Sequence, residues 1–201
     1  MIAARQLGIV LIAFAAAGSP LRAADDPHLI PKPREATVGG LVPITKSVSI
    51  APAANDDDRF AAKDLWDVLK ERGVHLTAAA EGAFRISLLR LDSPTARHLL
   101  DDNKITFSDE MKAEGYVLFA TKDGAAIVAA TGAGMFYGAQ TLKQLIRTDG
   151  GTSRVQLAVI RDWPAMRYRG FHDDLSRGPV PTLEFQKKEL RTFAAYKIYV
   201  Y

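Results

Sequence analysis

The sequence predicts an α+β fold: a small sheet with two helices on one face, followed by a strand–helix–strand unit that begins at Asp162. Three observations predict it. Short β-prone runs recur at 84–88, 116–120, 125–129 and 155–160, and two of them flank Lys122-Asp123-Gly124, where Asp-Gly marks a hairpin. Two stretches carry helical spacing: Ala61, Leu65, Val68 and Leu69 in one, and Met135, Ala139, Leu142 and Ile146 in the other. Beyond Trp163-Pro164 the pattern changes to a β-run, a helix opened by Pro181-Thr182, and a second β-prone run from Lys197 to Tyr201. Hydrophobic residues make up 48% of the 201, enough for a packed core.

The first two dozen residues read as a targeting segment. Arg5 precedes an apolar run, Leu7 to Ala17, too short to span a bilayer, and Leu21-Arg22-Ala23 offers a cleavage context. Residues 1–23 are therefore expected to be a secretory signal peptide, and the mature protein to be exported, periplasmic or extracellular, with no membrane attachment. Loss of Arg5 and Arg22 lowers the formal charge of +3 by two, to +1. A near-neutral exported chain has no electrostatic basis for binding nucleic acid. The absence of cysteine removes disulfides, thiol catalysis and thiolate metal sites.

Residues 25–160 form the predicted α+β domain. Pro27, Pro31, Pro33 and Pro43 mark an extended segment feeding an edge strand, and Val48–Ile50 is short and β-prone. Asn55-Asp56-Asp57-Asp58 opens the first helix, where acids favour the positive end of the helix dipole. The run lacks the spaced oxygen ligands and bidentate Glu of a calcium loop, so capping is the preferred reading. Gly73 is placed to end that helix. Residues 92–113 are polar and irregular, and read as a surface excursion. Thr131-Gly132-Ala133-Gly134 turns a strand into the second helix. The third glycine of a dinucleotide fingerprint is replaced by Tyr137 and no Walker Lys-Ser/Thr follows, so the glycines serve a tight turn rather than phosphate binding. Two helices on one face would leave the other face free to dock on a neighbour.

From Asp162 the chain reads Asp-Trp-Pro-Ala-Met-Arg-Tyr-Arg-Gly-Phe-His-Asp-Asp-Leu-Ser-Arg, a β-run over 168–175 ending in polar residues. Polar groups at the carboxyl end of a strand are how a β/α barrel builds its site. The spacing Asp162-x-Pro164, Arg169-Gly170, three residues, Asp174, two residues, Arg177 resembles the start of the catalytic barrel of glycoside hydrolase family 20, the β-N-acetylhexosaminidases. Gly134-Met135-Phe136-Tyr137-Gly138-Ala139-Gln140-Thr141-Leu142-Lys143-Gln144-Leu145 resembles the helix closing the small domain before that barrel, and Ile30-Pro31-Lys32-Pro33-Arg34 resembles its lead-in. The chain departs from the family at His172 and Asp173, where apolar residues are usual, and at Gly178-Pro179.

The resemblance implies residues 162–201 to be the first strand–helix–strand of a (β/α)8 TIM barrel. A full barrel takes roughly 250 residues, so this one would be incomplete and the sequence is expected to be the N-terminal part of a longer enzyme. The resemblance also implies a substrate, an N-acetylhexosamine-containing glycan, and a substrate-assisted retaining mechanism in which an Asp-Glu pair acts. No such pair stands in a strand here, since Asp109-Glu110 lies in the irregular excursion, so no catalytic residue is assigned. By the resemblance, Arg177 contacts the sugar, its guanidinium fork meeting the C3 and C4 hydroxyls. A buried Asp174 is expected to orient Arg169 or Arg177. His172 and Asp174 would share a strand face, but two ligands are too few for a zinc site, so neither metal nor cofactor is implied. Related small domains precede other hydrolase barrels, so an O-GlcNAcase-like or α-glucuronidase-like enzyme, or a non-catalytic carbohydrate-binding module, remain alternative readings.

Overall fold

The computed structural model describes residues 28–200 except 54, 79–80, 173, 175 and 177. The proposed signal peptide therefore lies outside the described residues. Seven strands form one mixed sheet: β1 (Glu35–Pro43), β2 (Val48–Ile50), β3 (Phe84–Arg90), β4 (Tyr116–Ala120), β5 (Gly124–Ala129), β6 (Ile146–Asp149) and β7 (Thr152–Asp162). Their spatial order is β1-β7-β4-β5-β3-β2, with β6 paired to β7 beside this path. β2, β3 and β5 run parallel, while β5, β4, β7 and β1 are antiparallel. The hairpin expected at Asp123-Gly124 is present, pairing Tyr116 with Ala129 and Ala120 with Ala125.

Helices α1 (Asp56–Glu71) and α3 (Gly132–Leu145) pack together on one face. Leu65 and Leu69 of α1 and Met135 and Leu142 of α3 meet Ile86, Leu118, Ile127 and Ile160 of the sheet in one buried cluster. Asn55 caps α1 by accepting from Asp58 N at 2.9 Å, and the Asp58 carboxylate accepts from Arg90 Nε at 2.8 Å, so the acidic run is engaged in capping and pairing. Gly73 sits at φ +78°, with Gly73 N donating to Lys70 O and Val74 N to Leu69 O, the paired bonds of a Schellman helix end. Gly134 lies where a Cβ would collide with the carbonyl oxygen of Gly115, which fits the tight-turn reading of the glycines.

Residues 92–113 depart from the expectation of an irregular excursion. They contain α2 (Pro94–Asp102) and a 3₁₀ turn at Asp109–Met111. Ser93 caps α2 and Pro94 occupies its first turn, where a missing N–H costs nothing. Ala96, Leu100 and Met111 bury Val117, Phe119 and Val128 on the second face of the sheet. That face is consequently covered by the chain itself rather than free to dock. Two smaller differences follow from pairing. Ile146 ends α3 and opens β6, and β7 runs on to Asp162 because each of its residues from Ala158 onward finds a partner on β4.

Beyond β7 the expected strands at 168–175 and 197–201 reduce, among the described residues, to one parallel bridge between Gly170 and Val200. Tyr168 is 71% exposed and offers little burial to extend it. Between the bridged residues lies α4 (Leu183–Ala195), capped by Thr182. None of its described residues is fully buried: Leu183 and Leu190 face solvent, while the Phe193 ring lies tilted against Phe171 with ring centroids 4.7 Å apart.

Candidate functional site

The described residues place the predicted site residues in two separate locations. One is the polar loop leaving Gly170. There His172 and Asp174 are exposed, and Arg177 lies outside the described residues. Asp174 is not the buried orienting carboxylate expected. Its Oδ1 accepts from Ser176 N at 2.9 Å, a local turn that satisfies the acid without help from Arg169 and holds its carboxyl below the usual carboxylate range.

The other location is the junction between the sheet and the C-terminal segment, and it takes Arg169. Arg169 Nε donates to Lys197 O at 2.8 Å, Nη1 donates to Met166 O at 2.9 Å, and Nη2 pairs with the Glu114 carboxylate. The guanidinium also lies 5.0 Å from the Tyr199 ring centroid and 5.6 Å from that of Tyr137. Glu114 takes Arg169 from Asp174 because it stands on the loop before β4, facing the root of the segment rather than its tip.

Beside it, Lys197 Nζ donates to Asp162 Oδ2 at 2.6 Å and to Tyr116 OH at 2.9 Å. Tyr116 OH in turn donates to Asp162 Oδ2 at 2.9 Å and lies 2.7 Å from Thr141 Oγ1. Asp162 Oδ1 accepts from Arg34 N at 3.1 Å. Lys197 and Asp162 are each only 7% exposed, and Tyr116 1%. Burial pushes the Lys197 ammonium below its ordinary pKa, opposed by the attraction of Asp162. Burial pushes the Tyr116 phenol well above its ordinary range, with the neighbouring Asp162 charge adding to the effect.

A cavity of about 630 Å³ opens over this junction, walled by Trp163, Met166, Tyr168 and Tyr137 and floored by the Arg169 and Lys197 cluster. Every charge on that floor already has a partner within the chain. The cluster can therefore fix geometry, whereas proton transfer would have to break an existing pair. Sequence reasoning placed Asp162 and Arg169 within a motif but missed Lys197, Glu114 and Tyr116. The available signal was a lysine directly after an amphipathic helix, where glycine is the usual residue.

A mixed sheet covered on both faces, tied through the buried Lys197–Asp162 pair to a helix whose two flanks meet in one parallel bridge, defines the class: a small α+β domain. A family model described as glycosyl hydrolase family 20, domain 2, matches residues 26–163, and the chain belongs to that family. It is similar to a β-hexosaminidase of Porphyromonas gingivalis, with 31% identity over 145 residues, 69% of this chain and 18% of that protein. It is also similar to a β-hexosaminidase of Vibrio vulnificus, with 29% identity over 178 residues, 85% of this chain and 18% of the relative. Among solved structures, a mutant Streptomyces plicatus β-hexosaminidase in complex with its product GlcNAc superposes with TM-score 0.65 and 26% identity, over 90% of this chain and 34% of that one. The chain thus spans about a fifth of the length of the curated relatives it matches.

Proposed function

We propose that these residues are the N-terminal part of an exported glycoside hydrolase that removes terminal β-linked N-acetylhexosamine with retention of configuration. The observation that carries this reading is the family match across the whole α+β domain, running directly into the Arg169-Gly170…Arg177 motif. In this mechanism the carbonyl oxygen of the sugar's 2-acetamido group attacks the anomeric carbon. The glycosidic oxygen leaves with a proton from a carboxylic acid, and water then opens the cyclic intermediate. An Asp-Glu pair supplying the acid and steadying the acetamido group would lie outside these 201 residues, so this portion by itself would be inactive. Residues 162–201 would begin the catalytic (β/α)8 barrel, and Arg177 would hold the C3 and C4 hydroxyls.

The test is the whole natural protein assayed on chromogenic N-acetylglucosaminides beside Arg177→Ala. Hydrogen bonds to a charged group contribute about 1.5–3 kcal/mol, so kcat/KM should fall by roughly 10- to 100-fold. Unchanged affinity for the sugar removes Arg177 from the site. Turnover of a different glycoside class in place of N-acetylhexosaminides would favour a related hydrolase of other specificity, to which the departures at His172 and Asp173 point. Export is tested by N-terminal sequencing of the periplasmic or secreted protein, which should begin at Ala24.

A further inference from the structure

We infer that Lys197, acting with Arg169, is a positioning residue for the saccharide site, an inference that rests on the hexosaminidase reading above. Lys197 is the residue just past the end of α4, at φ +59°. Lys197 N donates to Ala194 O and Ile198 N to Phe193 O, so α4 ends in the same Schellman geometry that Gly73 gives α1. A left-handed backbone disfavours a side chain, and a buried ammonium is costly to desolvate. Lys104 occupies the equivalent position after α2 at φ +55° with its side chain in solvent, so the backbone position by itself does not call for burial. Burial at Lys197 is explained by what its ammonium reaches: Asp162, the last residue of β7, and the Tyr116 phenol of β4.

The C-terminal segment has little else to hold it. No described residue of α4 is buried, and the bridge at Gly170 and Val200 is a single pair. Apolar burial tolerates sliding, whereas charge-assisted hydrogen bonds fix distance and direction. Lys197 pins the start of the second β-run to the sheet. Arg169, bound to both Lys197 O and Glu114, pins the start of the first. Anchors beside both partners of the Gly170–Val200 bridge determine where that bridge sits, and the polar loop carrying His172 and Asp174 leaves from it.

The experiment uses the whole natural protein, with KM and kcat per titrated active site measured for wild type, Lys197→Met and Lys104→Met on a chromogenic N-acetylglucosaminide. Displacement of binding groups by about 1 Å can cost up to ~100-fold, and loss of uniform binding appears in KM. Lys197→Met should raise KM about tenfold or more with kcat within about threefold of wild type, and Lys104→Met should leave both within about twofold. An unchanged KM in Lys197→Met, or a loss confined to kcat or to the amount of folded enzyme, overturns the positioning role. If Lys197→Met does not fold, Tyr116→Phe removes one hydroxyl from the cluster and is judged by the same KM criterion. Absence of turnover by wild type overturns the hexosaminidase reading and the positioning role together, whereas turnover with an unchanged KM in the variant overturns the positioning role alone.

Discussion

Substituting Lys197 by glycine separates two opposing effects that meet at one residue. Glycine removes the left-handed penalty, worth about 1–2 kcal/mol, but raises the entropy of the unfolded chain by about 0.5–1 kcal/mol. The backbone balance is therefore close to neutral or slightly favourable. Loss of the ammonium leaves the 7%-exposed Asp162 carboxylate without its ion-pair partner. Breaking a buried pair costs about 3–5 kcal/mol. Tyr116 OH and Arg34 N still donate to Asp162, which places the loss at the lower end, about 3 kcal/mol. Lys104→Gly carries the same backbone terms without the pair and should stay within about 1 kcal/mol of the parent. Because α4 is held mainly through this cluster, the loss should appear as local opening rather than as a shift of global unfolding. The assay is amide hydrogen exchange at Phe171 and Tyr199, whose N–H groups donate to Val200 O and Arg169 O across the bridge. Three kcal/mol corresponds to roughly 100-fold faster exchange in Lys197→Gly at RT of about 0.6 kcal/mol. Equal protection of these two amides in Lys197→Gly and Lys104→Gly would refute the argument.

The same cluster predicts an alkaline signature. Tyr116 is held above its ordinary pKa of 10.0 in the folded state, so above pH 10 the unfolded chain has lost a proton that the folded chain keeps. Stability arising from the protonated phenol is intact below pH 10 and declines as pH rises through the folded value, at about 1.4 kcal/mol per pH unit. The stability advantage of the parent over Tyr116→Phe, measured by urea unfolding, should therefore narrow by about 1 kcal/mol between pH 10 and 11, where the unfolded phenol passes from half to almost fully ionised. Arg72, Lys143 and Tyr137, whose values are also shifted, do not bond the phenol and are common to both proteins; a constant gap would show that the phenol ionises as freely in the fold as in the open chain. On the far face of the sheet, Met111→Ala should destabilise by about 2–5 kcal/mol, lowering Tm by several degrees. A neutral result would mean that α2 and the 3₁₀ turn do not enclose a core.

Local order was largely legible. The α1 stripe, the Asp-Gly hairpin and the Asn55 cap each follow from interactions within a few residues and each formed, with Ala61, Leu65 and Leu69 of the stripe buried and Val68 half-buried. The second covered face was legible but overlooked. Tyr116–Ala120 has no polar residue on either side of the strand, as a strand buried on both faces requires, and Ser93-Pro94 is a helix start. The junction could not be read in the same way. Glu114, Tyr116, Asp162, Arg169 and Lys197 are up to 83 positions apart in sequence. No periodicity links them, and the motif that contains Asp174 gave no reason to assign Arg169 to Glu114 instead.

By itself the sequence determined α1 with its start and stop, the strand–turn–helix entry to α3, the Asp-Gly hairpin and the family, because propensity, capping and motif spacing are local properties that survive in any conformation. Only the tertiary structure decided which charges became partners. Asp174 found Ser176 two residues away and stayed in solvent, while Lys197 crossed to Asp162 and was buried. The physical reason is that the strength of an ion pair depends on distance and on exclusion of water, and the packing of the sheet against the C-terminal segment sets both.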